Sequence, residues 1–354
     1  MNSHANSEHI DEKFPLEVLR QTLDDSFASY ISLYGPISRI YRSPSPYRTS
    51  YPLEELDITF ADGTQLSLIF KDLNPHSLTA VARAAKPDFL DDPLREIEVY
   101  RRVFFDNSWG TPKYFGSFVD QGSNRYWLFI ERVAGRELYQ VGEIAIWKQA
   151  ARWLAELHHR FTSDASWQPM IRPRLIQYDA QYYERWMTRA LQFQTATKNT
   201  RTSTPAADDV LPRLAECYAN VINELISLPM TLIHGEFYAS NVLVQNTNDP
   251  PRVCAVDWER AAVGPGLIDV AALTAGNWSE SQKHEILSEY HATLNSLDGS
   301  SITMNELRRS WRLCRLHLAV QWLGWSPNWT PPPEHRQNWL HEAATAAQLI
   351  GLPT

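Results

Sequence analysis

Leu232-Ile233-His234-Gly235-Glu236-Phe237-Tyr238-Ala239-Ser240-Asn241-Val242-Leu243-Val244 is the stretch on which the rest of the chain turns. Two apolar runs with strand character flank a tight polar loop. A strand pair that presents an acid and an amide at fixed spacing suits a metal–phosphate site. The acid can accept a proton from a hydroxyl nucleophile, and the amide oxygen can ligate Mg²⁺, which prefers hard oxygen donors. Further on, Val253-Cys254-Ala255-Val256 reads as another apolar strand, and Asp257 ends it. An acid in that place can supply a second oxygen to the same cation.

Upstream, Phe14 to Leu33 reads as a helix, followed by strands at Ile37–Arg42, Leu56–Phe60 and Thr64–Lys71, with Ala61-Asp62-Gly63 as a hairpin turn. Leu66, Leu68 and Phe70 alternate with Ser67, Ile69 and Lys71, which is the period of a half-buried strand. Asp92-Pro93 predicts a helix start, and the helix should run to about Phe105. Lys113–Val119 and Arg125–Glu131 read as two more strands. After Gly135 the character becomes helical, with amphipathic or aromatic-rich helices predicted over Glu143–Phe161, Ala180–Phe193 and Leu211–Leu228. Thr195–Asp209 and Pro327–Pro333 read as loops, and residues 1–13 as a frayed end. This pattern is α+β, with a β-rich first part over 1–131 and a larger, mainly helical part over 132–354.

With 354 residues and 44% apolar content the chain can bury a sizeable interior. A net charge of -8 without a block of basic residues argues against nucleic acid as a main partner. Cys217, Cys254 and Cys314 are odd in number and far apart, which predicts neither a disulfide framework nor a zinc site. The polar N-terminus lacks the apolar core of a signal peptide, and no run of about 18 apolar residues is present to span a bilayer. The expectation is a soluble cytoplasmic protein with no membrane partner; the sequence says nothing of its oligomeric state.

The motifs resemble those of the aminoglycoside phosphotransferase and choline kinase group, whose H-G-D-x-x-x-x-N loop, apolar strand ending in D-[FW]-E, Gly/Pro turn and D-[LV]-A recur here in order. The resemblance covers about Phe14 to Gly276. It implies a bilobal protein-kinase-like fold, ATP and Mg²⁺ as cofactors, and transfer of the γ-phosphate to a hydroxyl of a small polar molecule: an aminoglycoside, amino sugar, sugar or amino alcohol. Position by position it implies His234 and Glu236 in the catalytic loop, Asp269 bracing that loop from behind, and Asn241 and Asp257 as metal ligands. Lys71 falls where the family has its phosphate-pairing lysine. Its carboxylate partner is Glu96 or Glu98. At about 100° per residue Glu96 shares a face with Ile97, Tyr100, Val103 and Phe104, whereas Glu98 can pair with Arg102, so Glu96 is preferred. Glu131 and Val133 match the hinge whose backbone would hold adenine.

Two positions depart from the pattern. Glu236 stands where the family has Asp; the extra methylene moves the carboxylate by about 1.5 Å, and a misplacement of about 1 Å can cost roughly 100-fold in rate. The phosphate-covering loop Ser43-Pro44-Ser45-Pro46-Tyr47-Arg48-Thr49-Ser50 has no glycine, so side-chain groups such as the Ser45 hydroxyl or Arg48 would take over from close backbone approach. Two rival readings follow from Glu236: a kinase-like module that binds without turnover, and a kinase fold with altered transfer chemistry. Several features also have ordinary explanations. His158-His159 reads as a polar helix end rather than a metal site. Trp322, Trp325 and Trp329 read as core, with an aromatic wall as the other possibility; Tyr182, Tyr183 and Trp186 leave the same two open.

Overall fold

The alternating strand pattern at Leu66–Phe70 closes a five-stranded antiparallel sheet. Its strands are β1 (Ile37–Pro44), β2 (Leu53–Phe60), β3 (Gln65–Asp72), β4 (Tyr114–Asp120) and β5 (Arg125–Glu131), in the order β1-β2-β3-β5-β4. The computed structural model describes residues 16–47, 50–106, 108–164, 166–197, 205–246, 249–298, 302–326 and 337–353, without the side chains of 197, 205–208 and 298. Two units result. The first spans Met1–Thr79 and Lys113–Arg132; the second spans Ala80–Pro112 and Val133–Thr354.

In the first unit, Leu56, Ile58, Leu68, Phe70, Trp127 and Phe129 project from one face of the sheet onto Leu19, Leu23 and Phe27. Apolar side chains packed this way are worth roughly 1.5–3 kcal/mol each on burial. The single helix expected over Phe14–Leu33 is two, Leu16–Ser26 and Ala28–Tyr34. The joint is Phe27, whose ring is buried against Phe115 and edge-on to Phe129, so tertiary packing bends the chain where local propensity would carry it straight. The Asp62-Gly63 turn is present, with Gly63 at φ 90°, which only glycine adopts cheaply.

The second unit is built around the helix Ile144–Ser163, which packs on Glu280–Asp298 and on the strand Met230–Ile233. Its six short strands are β6 (Arg136–Glu137), β7 (Ile176–Gln177), β8 (Met230–Ile233), β9 (Val242–Gln245), β10 (Arg252–Ala255) and β11 (Ala262–Pro265). They form two three-stranded sheets, β10-β9-β6 and β7-β11-β8. The helix Met304–Leu323, started by a Thr303–Glu306 capping box, lies against Leu267–Leu273, Ala180–Thr197 and Trp339–Leu349.

The segment expected as a loop over Thr195–Asp209 is narrower than that. One helix continues to Thr197 and the next begins at Pro205, while 198–204 lie outside the described residues. Also outside them are residues 1–13, Arg48 and Thr49, and the loop Pro327–Pro333 with Trp329. The helix expected from Asp92 is regular only over Arg95–Arg102, because Asp92 Oδ1 accepts from the Leu94 amide and forms a turn first. That helix packs within the second unit: Arg95 donates to the carbonyls of Arg174 and Glu259. No described helix is long and apolar enough to cross a membrane.

Candidate active site

β8 ends at Ile233 and the chain turns sharply through His234 and Gly235. Gly235 has φ 82°, and a Cβ there would sit 2.4 Å from the Arg260 carbonyl oxygen, so no other residue fits without moving the backbone. Asp269, at the start of the helix Leu267–Leu273 and fully buried, accepts from both loop amides: His234 N at 2.7 Å and Gly235 N at 2.9 Å. A carboxylate receiving two backbone N–H groups in a dry interior is a strong brace. It is itself held from below. His158 Nε2 lies 3.3 Å from Asp269 Oδ2, and His158 Nδ1 lies 3.0 Å from the Tyr290 hydroxyl. His158 is therefore not a polar helix end. It is buried mid-helix, and its imidazole links two elements to the brace.

The His234 ring does not reach outward either. Its Nε2 lies 2.8 Å from the Val256 carbonyl, and its Nδ1 takes the Glu236 amide at 3.3 Å, a pair that fits the neutral ring protonated on Nε2. Trp258 packs beside it, tilted, at 4.6 Å between ring centres. His234 thus fixes the loop to the turn after β10.

Asn241 donates through Nδ2 to the Glu236 carbonyl at 2.9 Å, which leaves its side-chain oxygen as the atom suited to a cation. Its own carbonyl accepts from Val256 at 2.9 Å, so Asp257 follows immediately, two residues beyond the end of strand Arg252–Ala255. Asp257 has φ 65°, a left-handed conformation that a non-glycine residue holds only when its surroundings impose it. The next amide, Trp258 N, donates to Glu96 Oε1 at 3.2 Å. Glu96 is buried. Glu98, also buried, pairs instead with the exposed Arg101 and Arg102, as helical periodicity implied.

Glu236 projects past this frame with its side chain 20% exposed. Burial pushes its pKa up to about 7; Arg260 pulls against the shift, while Glu259 and Asp257 add to it. Glu236 Oε1 lies 3.7 Å from Arg260 Nη1. Arg260 is the functional residue that sequence reading missed. The signal was there: one arginine beside the apolar run Ala261-Ala262-Val263. Burial is the largest single influence and works against its charge, but Glu236, Tyr182, Tyr178 and Glu259 together leave its pKa raised. Trp325 faces it, with the guanidinium 5.1 Å from the ring centre. Trp322 and Trp325 are half-buried rather than core, and the Trp322 indole donates to the Tyr238 hydroxyl. Tyr182, Tyr183 and Trp186 are buried.

Of the other expected residues, Lys71 and Ser45 belong to the first unit, as does Glu131. Lys71 is buried on β3 opposite Leu53 and Leu128. The Ser45 hydroxyl lies 3.4 Å from Glu55 Oε1 and accepts from Tyr47 N. Glu131 Oε2 and the Lys113 amide bond at 3.0 Å. Val133 opens the second segment of the second unit, with its carbonyl accepting from Gly135 N.

The model of the phosphotransferase enzyme family matches residues 69–302, well over half of the chain and the whole of the span from the loop His234–Asn241 through Asp257 to Asp269. The chain belongs to that family. Its members' fold recurs in solved structures that share little sequence with this phosphotransferase. A choline/ethanolamine kinase family protein from Mesorhizobium loti superposes with a TM-score of 0.53 at 14% identity, covering 96% of this chain and 95% of the other. An ethanolamine kinase from Plasmodium vivax gives 0.52 at 13%, with 92% and 88% covered. The GDP complex of an aminoglycoside 2'-phosphotransferase gives 0.54 at 12%, with 95% of each chain covered. Among curated proteins no sequence match was found. The fold is kinase-like and α+β, as the motifs implied.

Proposed function

We propose that this phosphotransferase moves the terminal phosphoryl group of ATP to a hydroxyl of a small polar metabolite, with Glu236 as the base. The observation that carries this reading is the Glu236 carboxylate: partly open, raised to about 7, and mounted on a loop bolted down by Asp269. A base titrating near neutrality combines a useful ionised fraction with real proton affinity. Glu236 takes the proton from the acceptor hydroxyl. The acceptor oxygen then forms a bond to the terminal phosphorus as the bond to the ADP oxygen breaks.

Asn241 and Asp257 would fit a small hard cation: an amide oxygen left over by Nδ2 donation, and a carboxylate that follows the end of β10. Mg²⁺ usually keeps waters and substrate phosphate oxygens among its ligands, so one or two protein oxygens suffice. Bound there, Mg²⁺ would neutralise charge on the transferring phosphates. Lys71 would pair with phosphate oxygens, Ser45 would cover the phosphates, and the Glu131–Val133 backbone would receive the base. The GDP-bound relative supports a nucleotide in this role.

Purified protein incubated with ATP, Mg²⁺ and a panel of hydroxylated metabolites should give a phosphorylated product by mass spectrometry. Glu236→Gln should be inert beside the active parent. Equal rates for the two proteins would remove Glu236 as the base.

A further inference from the structure

Arg260 is 1% exposed, and Nε, Nη1 and Nη2 all lack a hydrogen-bond partner among the described residues. Glu236 stands 3.7 Å from Nη1, an ion-pair distance too long for a hydrogen bond. Five N–H groups in a dry site are costly to leave unanswered, and a buried charge more so. The guanidinium is capped by the face of half-buried Trp325. Trp325 stacks on Trp186 at 6.0 Å, and Trp186 meets Phe89 edge-on at 5.3 Å. At the far end of this aromatic row the Arg185 guanidinium lies 4.5 Å from the Phe89 ring centre. Arginine thus stands at both ends of the row, and at the Arg260 end the carboxylates of Glu236 and Glu259 act on the guanidinium without hydrogen-bonding it.

We propose that the acceptor carries a carboxylate beside its hydroxyl, and that Arg260 receives that carboxylate where the Trp325 ring now covers it. The proposal rests on the phosphotransfer reading above and narrows its substrate class to hydroxy acids. The planar fork of arginine matches a carboxylate through two parallel N–H···O bonds, which fixes the acceptor hydroxyl relative to Glu236. A carboxylate is preferred over a phosphate because one guanidinium balances one charge, and Glu236 already shares it.

The test is calorimetric binding of two matched sets in the presence of Mg²⁺ and a non-hydrolysable ATP analogue. One set is glycerate, glycerol, glycerol phosphate and 3-aminopropane-1,2-diol; the other is gluconate, glucose, glucose 6-phosphate and glucosamine. In at least one set the carboxylate should bind about tenfold or more tighter than the neutral and ammonium members, the worth of a charged hydrogen-bond pair. Arg260→Met should abolish that preference while leaving nucleotide affinity unchanged. Should that variant fail to fold, Arg260→Lys carries the test: it keeps the charge, loses the fork, and should lose most of the preference. Equal or tighter binding of the ammonium member, tighter binding of the phosphate member, no binding in either set, or a preference that survives these variants would overturn the proposal. Phosphoryl transfer is followed separately by product mass. Carboxylate binding that depends on Arg260 without any transfer would remove the phosphotransfer reading and leave the Arg260 site standing.

Discussion

The two sides of the loop His234–Asn241 use the same kinds of charged group and treat them differently. Behind the loop, the Asp269 carboxylate receives two backbone amides and sits against His158, whose other nitrogen meets Tyr290. On the Arg260 side, a guanidinium just as deeply buried has one carboxylate at 3.7 Å and no hydrogen bond among the described residues. The chain has the means to satisfy a buried charge and does so where rigidity is needed. Where it does not, the unmet bonding capacity is available to something that comes and goes. Rigidity and receptivity are thus separated by the thickness of one loop.

The largest expected effect is on the rigid side. Asp269→Ala strands two backbone amides and the His158 ring, and should cost about 3–5 kcal/mol in chemical denaturation together with loss of transfer. A cost below about 1 kcal/mol would mean that the loop holds its own shape and the brace is incidental.

Next comes Glu236. Glu236→Gln should lower kcat by roughly 10²–10⁴ with nucleotide affinity intact, the usual worth of a positioned base. Glu236→Asp withdraws the carboxylate by about one bond length and should cost roughly 100-fold. An aspartate variant as fast as the parent would show that this loop is not shaped around the longer side chain.

A smaller effect appears in stability against pH. The Glu236 pKa is raised from 4.5 to about 7 in the folded state, so between those values the folded protein holds a proton that the unfolded chain has released. Stability contributed by this group must therefore fall as pH rises across the window, by at most about 1.4 kcal/mol per unit. Urea titrations of metal-free protein from pH 5 to 7 should show the slope, and Glu236→Gln should flatten it.

The smallest effect separates two neighbouring acids. Glu96→Ala deprives the buried Trp258 amide of its acceptor and should cost about 1–3 kcal/mol. Glu98→Ala removes pairs with arginines that are 45% and 40% exposed, and should cost about 0.5 kcal/mol or less in the same denaturation assay. Equal costs would undo the contrast between an acid that holds a buried amide and one that pairs with exposed arginines.

Periodicity made the five strands of the first unit and the long helices of the second legible, because each buries one face over many residues. β6 and β7 have two residues each, too few for any period to register. The loop residues were legible as a set because their spacing is local: Glu236 to Asn241 lies on one turn, and Asp257 one strand away. His158 and Arg260 were not. Each is a polar residue next to an apolar run, and its partners stand far off in sequence, Asp269 for one and Glu236 and Trp325 for the other. A half-buried wall at Trp322 and Trp325 has the same apolar composition as a core, so composition could not tell them apart.

The clearance at Gly235 also bears on how this loop could be altered by mutation. A side chain at 235 would strike the backbone of the neighbouring turn at Arg260, and the amides on either side of the peptide at 234–235 are committed to Asp269. The backbone here has no slack to absorb added atoms. Variation in reach must be expressed at 236, where the side chain points away from that crowding. A combinatorial library across this segment should therefore hold 234, 235 and 269 constant and spend its diversity at 236, 260 and 325.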